Sequence, residues 1–373
     1  MTDVVSAEDT ELLRASARTA LRELSPAGDV RRLMATAAGW EPAVWARLAG
    51  ELGAPGLMLA ADHGGAGLSC AELAVVMEEA GAALLCAPLF STAALAVPLL
   101  LACADDAALS RYGPAISGGQ LTATVALAED PGRWSTDGLT RAHRDGERWV
   151  IDGAKNYVVD GATAGLILVV AAAPAGPAVF AVDAAAPGLQ REPLVTLDQT
   201  RKQARLSFRQ VPATPVGPPG AADLIGRATD VSRALLAAEQ TGGAQRCLDM
   251  TVEYAKTRIQ FGRPIGSFQA VKQRVAEMLI GVESARSAAY AAAQAASGGG
   301  GDLRRVARVA GITCTDAYNW VTAQTIQLHG GIGFTWEHDA HLYFKRARSS
   351  GQLLGTPGDH VAALARQLDA EAG

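Results

Sequence analysis

The sequence predicts an α+β chain. An N-terminal helical domain (residues 1–118) and a C-terminal four-helix bundle (221–373) flank a small middle β-barrel domain (119–220). Three observations carry this. Apolar residues recur at helical spacing as far as the neighbourhood of Gly118. The period then shortens to two, as in the alternating run from Gln120 to Ala128. From Ala221 the helical period returns and holds to the end of the chain. The order is informative by itself, because few soluble folds insert a β-barrel between two helical halves.

Taken in order, Glu8 to Leu24 is an amphipathic helix with Ser6 or Asp9 as its cap. Trp45 to Leu52 is a second helix, stopped by Gly53 and Pro55. His63 to Gly67 reads as a glycine loop and Ala71 to Leu84 as a strongly helical run. The most apolar stretch, Leu84 to Ala104, contains Pro88 and Pro98 and ends at Asp105-Asp106; it reads as buried helix and loop, not a membrane span. Strands are expected at Arg148 to Ile151, Gly165 to Ala173, Ala178 to Val182 and Lys202 to Phe208. Turn signals separate them: Asp145-Gly146, Asp152-Gly153, Asp160-Gly161 and Pro187-Gly188. The Pro/Gly-rich stretch Pro212 to Gly220 closes the β-domain. Helices follow at Asp230 to Arg258, Ala270 to Ala296, Leu303 to His329 and Gly358 to Ala370, with a flexible break at Gly298 to Gly301.

A length of 373 residues with 49% hydrophobic content suits two or three packed lobes. Scarce aromatics and abundant alanine favour tightly packed helices. The formal charge of −5 is spread out and no basic patch stands out, which argues against nucleic acid as a partner. The five cysteines are odd in number and none lies in a CxxC pair, the pattern of reduced, buried thiols in a cytoplasmic protein. The opening MTDVVSAEDTELLRASA carries acids and no apolar core, so it is no signal peptide.

Two C-terminal blocks carry chemistry. The first is Glu253 to Gln269, reading EYAKTRIQFGRPIGSFQ; the second is Gln327-Leu-His-Gly-Gly-Ile-Gly-Phe334. Arg258 offers a planar fork of donors suited to phosphate oxygens. Gly330, Gly331 and Gly333 let backbone N–H groups approach an anion without a Cβ in the way. Gln269 and Gln327 can donate and accept at ribose, ribityl or adenine edges. Phe261 and Phe268 can cover ring faces. Read singly, Gly330-Gly331 also fits a helix C-cap and Arg258 a surface charge; the two blocks in order favour a dinucleotide.

The pattern YxxxRxxFGxPIxxFQ followed by QxxGGxG resembles the flavin-dependent acyl-CoA dehydrogenases. Weaker blocks agree: Leu52-Gly53 with Gly64 to Gly67, Asp183 with Pro187-Gly188, and Thr196 to Thr200. The resemblance covers nearly the whole chain. It implies FAD as cofactor and an acyl-CoA thioester as substrate. Arg258, Phe261, Gly262, Phe268, Gln269, Gln327, Gly330, Gly331 and Gly333 would contact an FAD held in the neighbouring subunit, so the chain would be an oligomer. An electron-transfer flavoprotein is the expected acceptor.

The sequence departs from the family in three places. The T-E-x-x-A-G-S-D loop that grips flavin in many relatives reads Ala128-Glu-Asp-Pro-Gly-Arg-Trp-Ser135, which keeps Glu129 and loses the Gly-Ser-Asp part. Where relatives place Trp with Ser or Thr against the flavin ring, this chain has Lys155-Asn-Tyr-Val-Val-Asp160, with Tyr157 as stand-in. The third is the base. Most relatives carry a Glu just before a Gly-Thr; here Leu354 precedes Gly355-Thr356. A minority carry it on the first long bundle helix, where this chain has Ser232. Neither side chain is a strong base at neutral pH. Glu239, two turns after Ser232 and about 10 Å along the axis, is the candidate catalytic residue, or else a structural acid paired with a cation. His329 and Glu337 are further candidates for the base. His338 and His341 lack a third ligand at sensible spacing, so no metal is expected.

The pattern resembles the base-lacking subunit of actinobacterial heteromeric acyl-CoA dehydrogenases, which completes a homologous partner's cofactor site. The alternatives are a self-sufficient homo-oligomer using Glu239, a non-catalytic scaffold on the same fold, and an oxidase or monooxygenase with an oxygen-accessible flavin.

Overall fold

A computed structural model describes residues 7–298 and 302–372; the cap at Ser6 and most of the glycine break at Gly298 to Gly301 lie outside them. The N-terminal region holds α1 (Ala7–Leu24), α2 (Ala27–Met34), α3 (Pro42–Leu52) and α4 (Cys70–Ala82). A π-helical segment, Phe90–Ala96, then leads into α5 (Val97–Cys103), and α6 (Asp106–Ser117) follows. Seven strands come next: β1 (Ala123–Ala126), β2 (Arg141–Asp145), β3 (Arg148–Val159), β4 (Leu166–Ala173), β5 (Gly176–Asp183), β6 (Leu189–Pro193) and β7 (Gln203–Val216). The remainder is α7 (Ala222–Thr257), the short strands β8 (Ile259–Gln260) and β9 (Arg263–Pro264), α8 (Gln269–Ala296), α9 (Leu303–His329), α10 (Gly331–Phe334), α11 (Ala340–Ser350) and α12 (Pro357–Ala372). No helix among the described residues is long and apolar enough to cross a membrane.

The chain divides into two compact units. One comprises Arg31–Leu73 and Cys86–Ser232. Its strands close on themselves: β4 pairs with β5, β5 with β7, β7 with β3, β3 with β2, and β2 with β4. That closure is the expected barrel. Strand β4 is buried on both faces, which explains its unbroken apolar run. Ile167 and Val169 point into the barrel with Ile151, Phe180 and Leu206. Leu166, Leu168 and Val170 point the other way, onto Leu99, Leu100 and Ile116 of the helical segments.

The turn chemistry held at Gly53, which caps α3 in the left-handed conformation (φ 59°) with its N–H on Ala49 O. It held at Gly146 as well, between β2 and β3 (φ 59°). Asp152-Gly153 is not a turn: it sits inside β3, which runs on to Val159 through bulges. Gly153 (φ 139°) lets the strand pass so close to Thr140 that a Cβ would lie 2.7 Å from its Cα. Nor does the β-domain loosen at Pro212. Strand β7 continues to Val216, with Pro212 opposite Val150 and Pro215 opposite Phe180, as it passes from β3 to β5.

The second unit comprises the chain up to Val30, Ala74–Leu85 and Arg233 onward. Helices α4 and α7 cross here with almost no side chain between them. A Cβ on Gly81 would lie 1.9 Å from Glu239 O, and one on Gly242 1.7 Å from Glu78 O. The crossing aims Glu78 and Glu79 at arginines from two other helices. Arg14 reaches both (2.7 and 3.3 Å), Arg18 binds Glu79 (2.8 Å), and Arg286 of α8 binds Glu78. Helices α8 and α9 pack through small residues such as Ala285, Ala289, Ala307 and Ala310, all buried, as the alanine-rich composition leads one to expect. All five cysteines are free and buried. Burial pushes the Cys103 thiol up to about 11 and those of Cys70 and Cys314 up to about 12.

Because the α4–α7 crossing has no room for a methyl group, Gly242→Ala should lower the unfolding free energy by about 1–3 kcal/mol or more. Gly28→Ala, where a Cβ meets nothing within 4 Å, should change it by less than about 1 kcal/mol. Chemical denaturation of both variants is the check.

Candidate cofactor-contact and catalytic positions

The structure brings the two C-terminal blocks together at one end of the bundle. Tyr254, in the last turns of α7, stacks on His329, the last residue of α9, at 4.4 Å between centroids and 26° between planes. Arg258 lies one turn beyond Tyr254, its N–H on Tyr254 O at 2.8 Å. Gly330 follows His329 directly. His329 is itself fixed: its Nδ1 donates to Thr325 O (2.7 Å) and its ring contacts His338 at 4.3 Å. Burial, with His338 adding to it, holds the His329 imidazole below its ordinary value against the Thr325 carbonyl. His329 is thus a packed, neutral support for the glycine turn.

The hairpin β8–β9 projects from this end. Its two turn residues, Phe261 (φ 52°) and Gly262 (φ 74°), are both left-handed, the signature of a tight type I′ turn. Phe261 is 91% exposed at the tip. Its ring meets the edge of Phe268 (6.1 Å), and the Arg263 guanidinium lies over Phe268 at 4.1 Å. Phe268 is the N-cap of the long helix α8 and makes no side-chain cap. The first-turn N–H groups of α8, beginning at Gln269, therefore carry the positive end of the helix dipole uncapped by a side chain. Across the same end, Gly330 adopts φ 63°, ψ −142°, a region open essentially to glycine alone. A Cβ on Gly330 or Gly331 would meet nothing within 4 Å, whereas one on Gly333 would press on His329 Cβ at 2.9 Å. Gly333 is a packing requirement; Gly330 and Gly331 leave bare backbone at the surface. Arg258, Gln269 and Gln327 are exposed around them.

Glu239 is 6% exposed and Arg346 of α11 is 2% exposed; they form an ion pair of 2.9 Å. Helix α11 was not foreseen from the sequence, so neither was this cation, although a carboxylate within the apolar face Leu235 to Ala238 demands one. Ser232 is buried with its hydroxyl turned back on Ala228 O (3.0 Å). Leu354 is 2% exposed in a left-handed conformation (φ 61°), and its carbonyl accepts from Arg233 Nε at 2.9 Å. Glu337 is exposed. No cluster of metal-binding side chains exists among the described residues.

In the β-barrel unit the departures take definite form. The Glu129 carboxylate accepts from Lys155 Nζ (2.7 Å) and from the N–H groups of Leu139 (2.6 Å) and Thr140 (3.0 Å). Burial alone would raise its pKa. The Lys155 ammonium and the backbone donors overcome this and hold it at about 2. Lys155 is 1% exposed, and burial lowers its own pKa against the pull of Glu129. Glu129 therefore braces the loop that bears it. Asn156 N–H binds Ala128 O (2.9 Å), and Tyr157 stands 38% exposed (φ 57°) beside Gly132.

The family models for the N-terminal and C-terminal domains of acyl-CoA dehydrogenases match residues 7–120 and 222–368. The acyl-CoA dehydrogenase IpdE2 of Mycobacterium tuberculosis is 36% identical over 98% of this chain and 97% of its own length. The chain belongs to the acyl-CoA dehydrogenase family. Members of this family are FAD-dependent oxidoreductases. Among solved structures, a Tcur3481-Tcur3483 steroid acyl-CoA dehydrogenase variant superposes with a TM-score of 0.87 at 32% identity, covering 98% of this chain and 99% of that one. A chain of the ChsE4-ChsE5 complex from Mycobacterium tuberculosis gives 0.88 at 28% identity, covering 98% of each.

The depressed carboxyl of Glu129 gives a pH signature. It stabilises the fold above its ordinary value of 4.5, and that contribution is lost as pH falls toward about 2. Lys155 stays protonated throughout this window and does not offset the loss. Glu129→Gln should flatten the pH dependence of the melting temperature over that range. Independently, Glu239→Gln removes the carboxylate from its buried pair with Arg346 and should cost about 3–5 kcal/mol, read by denaturation.

Proposed function

We propose that this chain is one subunit of a hetero-oligomeric acyl-CoA dehydrogenase. In that reading its C-terminal end completes an FAD site held by a homologous partner, and the partner supplies the carboxylate that removes the α-proton of the acyl thioester. The observation that carries the reading is the state of the base positions. Ser232 and Leu354 bear no ionisable group, and Glu239 is committed to Arg346 inside the bundle. Using Glu239 as the base would require breaking that buried pair.

The other end of the bundle retains what a dinucleotide needs. A pyrophosphate carries two negative charges. The Arg258 fork, the uncapped first turn of α8 and the bare backbone of Gly330 and Gly331 would meet it. Bound FAD would supply the hydride acceptor at its flavin ring; this chain's residues would hold the phosphate end and orient it. Gln269 and Gln327 fix hydroxyl or base edges, and Phe261 and Phe268 shield the contact from water. The partner kind is supported by the paired names of two similar structures, Tcur3481-Tcur3483 and ChsE4-ChsE5. An electron-transfer flavoprotein is the matching acceptor for the reduced cofactor.

Purified alone, the chain should show little flavin absorbance. Co-expressed with an adjacently encoded homologue, the pair should carry one FAD per two chains and reduce a dye with an acyl-CoA. Stoichiometric flavin and turnover on the lone chain would remove this reading. In the assembled pair, Arg258→Ala should weaken FAD binding roughly 10–100-fold, because a hydrogen bond to a charged group is worth about 1.5–3 kcal/mol.

A further inference from the structure

A cavity of about 830 Å³ opens within the bundle unit, bounded by α1, the end of α4, α7, α8 and α11. This is the size of a small-molecule site, about 300–1,000 Å³. Its floor is apolar and deep. Leu21, Val30, Leu84 and Leu342 are each under 5% exposed, and Met250 joins them. Its walls carry five arginines and four acids, Glu78, Glu79, Asp249 and Asp339, a slight cationic excess in a chain that as a whole carries −5. Arg14, Arg18 and Arg286 are held in place by Glu78 and Glu79, three guanidiniums on two carboxylates.

Two further arginines line the same cavity, Arg22 from α1 and Arg246 from α7. Neither forms an ion pair among the described residues. Arg246 lies close to Tyr343, whose hydroxyl donates to Ala82 O at 2.6 Å. Asp249, the nearest acid on the same helix, is engaged by Gln245 (2.8 Å).

A buried apolar floor beside two guanidiniums without carboxylate partners is complementary to a molecule with a hydrocarbon body and one anionic head. We propose that this cavity binds an amphiphilic carboxylate, its head on Arg22 and Arg246 and its chain along Leu21, Leu84, Met250 and Leu342. The site uses none of the residues assigned to the cofactor or to the base positions, and it does not depend on the subunit reading above.

Decanoate is the probe, titrated calorimetrically into the full chain, with decyltrimethylammonium as the cation of matching tail. Saturable binding of decanoate and none of the cation is expected. Arg22→Ala/Arg246→Ala, which removes two exposed side chains and should leave the fold intact, should weaken decanoate at least about tenfold. Met250→Trp, which fills the floor, should abolish binding while the arginines remain. Decanoate affinity unchanged in both variants would place the ligand elsewhere and overturn the proposal. So would equal binding of the cation, or no saturable binding at all.

Discussion

The α4–α7 crossing is the constraint on which the bundle unit depends. Two helices approach so closely at Gly81 and Gly242 that each presses a glycine against the other's carbonyl. Backbones this near fix the rotation of both helices. That rotation decides where three carboxylates point: Glu78 and Glu79 outward to Arg14, Arg18 and Arg286, and Glu239 inward to Arg346. Helices α1, α8 and α11 are thus tied to one crossing by ion pairs, most of them partly or fully shielded from water. Such pairs add little net stability on replacement by apolar residues, yet breaking one partner is costly. Their effect is to select one arrangement of the helices.

The same arrangement separates two ends of α7 with different chemistry. Near its start, Ser232 turns its hydroxyl back on Ala228 O and Arg233 holds the Leu354 carbonyl. At its other end, Tyr254 and His329 clamp the hairpin block to the glycine block, leaving guanidinium and bare N–H groups in solvent. One end presents no ionisable group at Ser232 and Leu354, and the other presents a guanidinium and bare N–H groups to solvent. This asymmetry, more than the fold, is what the subunit reading explains.

Much of this was legible in the sequence, and the reasons are local. Long helices with caps and glycine stops announce themselves by period, so α7, α8, α9 and α12 were placed to within a few residues except at the start of α7. The order of helical, β and helical segments gave the architecture. What was missed depended on distant contacts. Strand β3 extends through Asp152-Gly153 because Thr140, the residue before β2, leaves no room for a Cβ there. Helix α11 carries Lys345-Arg346 in a polar-looking stretch, and only a carboxylate a hundred residues away buries it. Lys155 gave no sign of pairing with Glu129, since each lies on a different segment of the barrel. The two blocks that suggested FAD stood out by residue type alone, and what the structure adds is that Tyr254 and His329 bring them to one end of the bundle.

The five cysteines have a practical corollary. Each is a buried thiol, and where burial raises the pKa the thiolate, the species that attacks electrophiles, is scarce at neutral pH. The surface therefore presents a chemically silent background to maleimides and other alkylating dyes. A single cysteine engineered at the tip of the β8–β9 hairpin would stand alone as a labelling handle. A fluorophore there would sit beside Phe261 and Phe268, where the proposed assembly would change its surroundings.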